Sequence, residues 1–386
     1  MKTPSLFDRH LGPWLAEVPS VQDVLHLEEP GLRGVFFDTV PYRGRPARAF
    51  AWIGLPEGAS PENPVPGMVL VHGGLGSAFA RWVRWWTRRG YAAIAMDTCG
   101  AMPLHDTGIR GSADWPRHSS GGPPGWGGFD QSEWAPEDQW PFHAVAAVIK
   151  AGTLLASLPG VDSSRIGGTG VSWGGYLTCI AAGLDPRWRC AMPVYGCGFL
   201  DASPLMPSPE TFPADIRTTW MDRWDPSVVL PRARCPMLWL NGTNDFAFSP
   251  PIWQRSAVCT AGPRTLCLKL RYPHGHMREA EEARELGSFA DACLNGGVPL
   301  ISVTPPVLEH GAMTVHYGEE RPLRSATLLM TPDSGPWLSR EWHTLSAVIE
   351  RSARQISATV PLDAKAACFS LVSDDWLTVT SDLIFP

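Results

Sequence analysis

Ser172 lies in Gly170-Val171-Ser172-Trp173-Gly174, and this pentapeptide constrains the fold more than any other stretch of the chain. A serine with glycine two residues away on either side fits a strained strand-to-helix turn, in which side chains at the flanking positions would collide. The surroundings agree with that geometry. Residues 161–169 read as a turn leading into a short strand, and residues 175–183 are small and apolar, as suits a helix buried against a sheet. A helix that starts just after the serine turns backbone N–H groups towards it, an arrangement that favours negative charge.

The rest of the chain supplies that sheet. Residues 67–71, 91–96, 190–195, 236–241 and 265–272 are short apolar runs, as strands buried on both faces should be. Between them, residues 77–89, 140–158 and 279–294 have helical periodicity, and residues 35–37 and 47–54 read as paired strands. Strands alternating with helices predict a doubly wound, mostly parallel α/β sheet. Residues 1–30 read as a peripheral segment. Residues 101–138 and 196–234 break the rhythm with Pro, Gly and Trp, and are expected to cap one end of the sheet. After residue 299 short alternating strands follow turn residues, which predicts a catalytic domain over 1–299 and a small β-sandwich accessory domain over 300–386.

Composition narrows the function. A net charge of −6 without long runs of one sign argues against nucleic-acid binding. The apolar runs fall well short of the ~20 residues needed to span a bilayer, so no membrane partner is expected. The first thirty residues lack an apolar leader core, so the expected compartment is cytoplasmic, or periplasmic or secreted if a leader was trimmed. The nine cysteines lack CxxC pairs and read as buried free thiols, with a disulfide or two possible.

A serine hydroxyl needs a base, and the base needs an acid to orient it. Both follow Ser172 in chain order at the ends of later strands. Asp245 sits in the turn Asn241-Gly242-Thr243-Asn244-Asp245, and Pro273-His274-Gly275-His276 closes the last core strand. His276 is the preferred base, with His274 the alternative. The expected donors to an oxyanion are the backbone N–H of Trp173 and that of Gly74 in His72-Gly73-Gly74-Leu75-Gly76, although Leu75 intrudes where glycine is expected. The 18 tryptophans suggest an aromatic roof over the pocket, from Trp115, Trp126, Trp134 and Trp140 in the first insertion and Trp220 and Trp224 in the second. No cofactor or metal is expected. His105, Asp106 and His118 lack metal-site spacing, and no Gly-Lys-Ser/Thr follows the early glycines to make a phosphate loop. Arg81, Arg84, Arg88 and Arg89 with Trp82, Trp85 and Trp86 read as the wet and dry sides of one helix.

These motifs resemble a bacterial α/β-hydrolase family that includes acetylxylan esterases and dienelactone hydrolase-like proteins, related more distantly to prolyl oligopeptidases. The resemblance runs through Val71-His72-Gly73-Gly74, Ser172-Trp173-Gly174-Gly175-Tyr176, Asn241 to Ala247 and Pro273-His274-Gly275-His276. It implies an α/β-hydrolase fold and a serine esterase acting on small-molecule or carbohydrate esters, with short acyl groups such as acetyl. Two rival readings are an oligopeptidase or amidase and, from another class, a glycan- or partner-binding protein with a vestigial hydrolase domain. Oligomeric state is not legible.

Overall fold

The computed structural model describes residues 6–25, 27–103 and 116–386. Nine strands build the hydrolase part of the sheet: β1 (Val21–Asp23), β2 (Arg33–Asp38), β3 (Arg48–Gly54), β4 (Val65–Val71), β5 (Ala92–Met96), β6 (Val161–Val171), β7 (Trp188–Val194), β8 (Met237–Gly242) and β9 (Arg264–Lys269). They run in the order β1-β2-β3-β5-β4-β6-β7-β8-β9. The first three are antiparallel, and those from β5 to β9 are parallel.

The two faces of the sheet bury different side chains. Along β4, Met68 and Leu70 join one core while Val69 and Val71 join the other, as period-2 alternation requires. Helices α2 (Ala80–Arg88) and α8 (Arg284–Leu294) cover the first face through Trp82, Trp86, Leu286 and Phe289. Helices α3 (Trp140–Ala156), α4 (Trp173–Leu184) and α6 (Pro250–Val258) cover the second. Two further helices complete the set: α1 (Leu6–Ala16), packed on α3, and α5 (Ala214–Trp224), within the second insertion. The expected single helix over 279–294 is broken, with a short α7 (Arg278–Glu281) ahead of α8. Among the described residues no helix is long and apolar enough to cross a membrane. All nine cysteines are free thiols, most of them buried.

The C-terminal strands do not stand apart as the sequence suggested. Strands β10 (Val307–Glu309), β11 (Ala312–His316), β14 (Val348–Glu350) and β15 (Gln355–Thr359) form a separate four-stranded sheet. Strands β12 (Leu323–Thr331), β13 (His343–Ser346), β16 (Ala366–Ser373) and β17 (Thr378–Thr380) instead extend the hydrolase sheet beyond β9, giving thirteen strands in all. The junction is antiparallel, with Thr380 opposite Leu266. Side chains reinforce it. Arg264 pairs with Asp382, the side-chain amide of Gln254 bonds the backbone of Leu383 in both directions, and Glu285 accepts from the Thr378 N–H. An open sheet edge is a liability, and here the C-terminal strands close it.

Candidate active site

Ser172 occupies the turn between β6 and α4, with φ 58° and ψ −121°, outside the regions that L-residues favour. The flanking glycines are steric necessities. A Cβ on Gly170 would lie 2.2 Å from the Gly174 carbonyl oxygen, and a Cβ on Gly174 would lie 1.9 Å from that of Val71.

Asp245 follows β8 and is almost fully buried. One of its oxygens accepts from the backbone N–H groups of Ala247 and Phe248, at 2.9 and 2.7 Å. The other lies 2.7 Å from His274 Nδ1, and His274 Nε2 lies 2.9 Å from Ser172 Oγ. An ionised carboxylate only accepts, so the neutral imidazole donates from Nδ1 and accepts the serine proton at Nε2. Tyr195 stacks on this ring at 4.4 Å and Phe246 flanks it at 4.8 Å.

Of the two histidines, His274 and not the preferred His276 lies within hydrogen-bond reach of both Ser172 and Asp245. His276 does not reach Ser172. Its Nε2 accepts the Gly73 N–H at 2.7 Å and its Nδ1 lies 2.9 Å from Glu281 Oε1. Burial pushes His276 below its ordinary value, against the opposing pull of Glu281. Glu281 itself is held below the usual carboxylate range: burial raises it, but His276 and Arg81 outweigh that penalty. Sequence reasoning missed Glu281, although it lies five residues from His276, and missed Arg81, because nothing in the pattern links positions 200 residues apart.

A cavity of about 330 Å³ opens beside Ser172, walled by Gly74, Leu75, Trp126, Trp173, Leu205 and Phe246, and by both His274 and His276. Both expected oxyanion donors border it. Trp173 is the first residue of α4, where an N–H has no intrahelical acceptor. Gly73 and Gly74 press against the elbow, since a Cβ on Gly73 would meet Ser172 Cβ at 2.9 Å and one on Gly74 the Trp173 ring at 2.9 Å. Leu75 holds the turn with φ 60°, in a region usually left to glycine.

Of the six tryptophans expected to roof the pocket, Trp126 lines it. Trp140 is fully buried and donates to the Thr98 carbonyl, Trp220 donates to that of Gly127, and Trp224 to Gln139 Oε1. Trp220 and Trp224 border a different cavity of about 220 Å³, alongside Gln139 and Arg223. Trp134 lies under the Arg43 guanidinium at 4.4 Å. These indoles pack the cap because each apolar body is worth burying once its N–H or face has a partner. Trp115 lies outside the described residues, as do His105 and Asp106, while His118 packs on Phe36.

The described residues bring one trio of potential metal ligands together, His72, Asp97 and Cys99, with ligand atoms within 4.8 Å of one another. Their lone pairs already serve the loop. His72 Nε2 accepts from the Thr98 N–H, and Asp97 accepts from the N–H groups of Cys99 and Gly100. Burial pushes the Cys99 thiol well up, away from the thiolate a metal needs.

The fold has known counterparts. An acetyl xylan esterase from Paenibacillus sp. R4 superposes with a TM-score of 0.58 at 23% identity, covering 76% of this chain and 96% of that one. Acetyl Xylan Esterase 1 from Thermoanaerobacterium sp. JW/SL YS485 gives 0.53 at 17% identity, over 75% and 93%. An acylaminoacyl peptidase from Pyrococcus horikoshii gives 0.51 at 14% identity, over 70% of this chain and 43% of that one. No curated protein sequence matches the chain. The family model for acetyl xylan esterase (AXE1) matches residues 3–202, a little over half of the 386 residues. With a strained serine elbow on a doubly wound sheet and this family match, the chain belongs to the acetyl xylan esterase (AXE1) family and is a serine hydrolase of the α/β-hydrolase type.

Proposed function

We propose that the protein hydrolyses carboxylic esters with Ser172 as nucleophile, His274 as general base and acid, and Asp245 as the group that orients the imidazole. The observation that carries this reading is the continuous chain from Ser172 Oγ to His274 at 2.9 Å and on to Asp245 at 2.7 Å. Ser172 Oγ bonds to the ester carbonyl carbon as its proton passes to His274 Nε2. The carbonyl oxygen becomes an oxyanion facing the N–H groups of Trp173 and Gly74, donors commonly worth about 3–4 kcal/mol each. Collapse breaks the bond to the alcohol, which leaves with the proton from His274. Water then repeats the sequence on the acyl-enzyme, releasing the carboxylic acid and restoring Ser172.

An acetylated carbohydrate is the substrate class that the family match favours. Trp126 supports it from within the cavity: its face is apolar enough to carry a sugar ring. In the test, Ser172→Ala and His274→Ala should each lower p-nitrophenyl acetate hydrolysis by at least about 10³-fold. Retained activity in Ser172→Ala would remove the nucleophile from this reading. Cleavage of aminoacyl-p-nitroanilides in preference to esters would move it to the amidase class.

A further inference from the structure

The Gly73 backbone is gripped at both ends by imidazoles. Its N–H donates to His276 Nε2 at 2.7 Å, and its carbonyl oxygen lies 2.8 Å from His72 Nδ1. Both tautomers follow from the partners. His72 Nε2 accepts the Thr98 N–H at 3.0 Å, so the neutral ring carries its proton on Nδ1 and donates to Gly73. His276 must keep Nε2 unprotonated to accept from Gly73, so its proton sits on Nδ1, facing Glu281. Glu281 is in turn fixed by Arg81, which donates to both its oxygens at 2.9 and 2.7 Å. Phe79 and Trp82 wall the His276 ring at 4.6 and 5.9 Å.

The carbonyl of Gly73 and the N–H of Gly74 belong to one peptide plane. In a trans peptide these two groups point in opposite directions, so holding one aims the other. A Gly-Gly pair has no side chain to hinder rotation of that plane, and Leu75 adds strain with φ 60°. The Gly76 N–H also donates to the Gly73 carbonyl, at 3.2 Å, so His72 shares the hold on this plane.

We propose that His72, on the Gly73 carbonyl of the Gly73–Gly74 peptide, and His276, braced by Glu281 and Arg81 and holding the Gly73 N–H of the preceding peptide, are positioning residues that together fix the two planes flanking Gly73 so that the Gly74 N–H is aimed as an oxyanion donor. The second histidine of the Pro-His-Gly-His motif thus serves the reaction through the loop rather than through the nucleophile. This rests on the reading of Ser172 as nucleophile and Gly74 as donor.

The test compares His276→Leu with His276→Gln in the full chain, beside Ser172→Ala. Leucine removes the acceptor, whereas the glutamine carbonyl reaches the place of Nε2. Each variant is assayed for kcat and KM on p-nitrophenyl acetate, and for inhibition by a trifluoromethyl ketone that adds to Ser172 as an oxyanion. His276→Leu should lose about 10- to 100-fold in kcat, with KM within about twofold. Ketone affinity should fall in parallel with kcat/KM, and His276→Gln should recover most of both. Equal losses in the two variants, or unchanged ketone affinity in His276→Leu, would overturn the proposal. Should His276→Leu fail to fold, His72→Asn against His72→Leu decides by the same criteria, since asparagine can still donate to the Gly73 carbonyl. Activity surviving in Ser172→Ala would instead defeat the reading of the nucleophile, whatever His276 does.

Discussion

His274 and His276 are separated by one glycine and do unlike work. The first bridges Ser172 and Asp245, while the second faces the Gly73 N–H and Glu281. Their replacements should therefore differ in kind: His274→Ala should abolish turnover, whereas His276→Gln should leave most of it, measured as kcat on one ester. Elsewhere a third histidine sets a pH dependence. Burial in α3 pushes His143 down to about 4, from an ordinary value of 6.5. Between those values the unfolded chain binds a proton that the folded chain does not, so stability falls as pH drops through this window. The loss should reach roughly 3 kcal/mol. His143→Leu should flatten that part of a denaturation-against-pH series, and an unchanged slope would assign it to other groups. That Ser172, Asp245 and a histidine of the Pro-His-Gly-His motif come together at strand ends was readable from the chain, because each follows a recognisable strand. Which histidine reaches the acid was not, since both share one motif and only the position of Asp245 separates them.

At the scale of elements, the elbow and the acid turn are held from outside themselves. Gly174 packs so closely under β4 that Gly174→Ala should destabilise the fold by at least about 3 kcal/mol, or prevent soluble expression. Asn244, beside the acid, sends its amide to the carbonyls of Trp337, Leu338 and Arg340 in a short turn of the C-terminal region. Asn244→Ala should cost about 1–2 kcal/mol in chemical denaturation and lower kcat more than it raises KM, because the anchor lies next to Asp245. The Trp-rich insertions were legible as insertions, but their direction was not. Counting tryptophans cannot tell a ring that lines a cavity, such as Trp126, from one whose N–H is bonded inside the cap, such as Trp140.

Across the whole molecule, the C-terminal strands complete a thirteen-stranded sheet. A chain ending at residue 299 would expose the β9 edge and strip the partners of Arg264, Gln254 and Asn244. Such a chain should aggregate or lose activity, and a soluble, fully active product on size-exclusion chromatography would refute the structural continuity. Sequence alone determined the doubly wound sheet, the serine turn and the aspartate turn after β8, because burial periodicity and steric demands at glycine act over a few residues. Tertiary structure alone decided that His274 is the ring between Ser172 and Asp245, that His276 holds the Gly73 N–H, and that β17 joins β9. Those contacts join residues from about 30 to over 200 positions apart, and their geometry exists only once the sheet has brought its strand ends together.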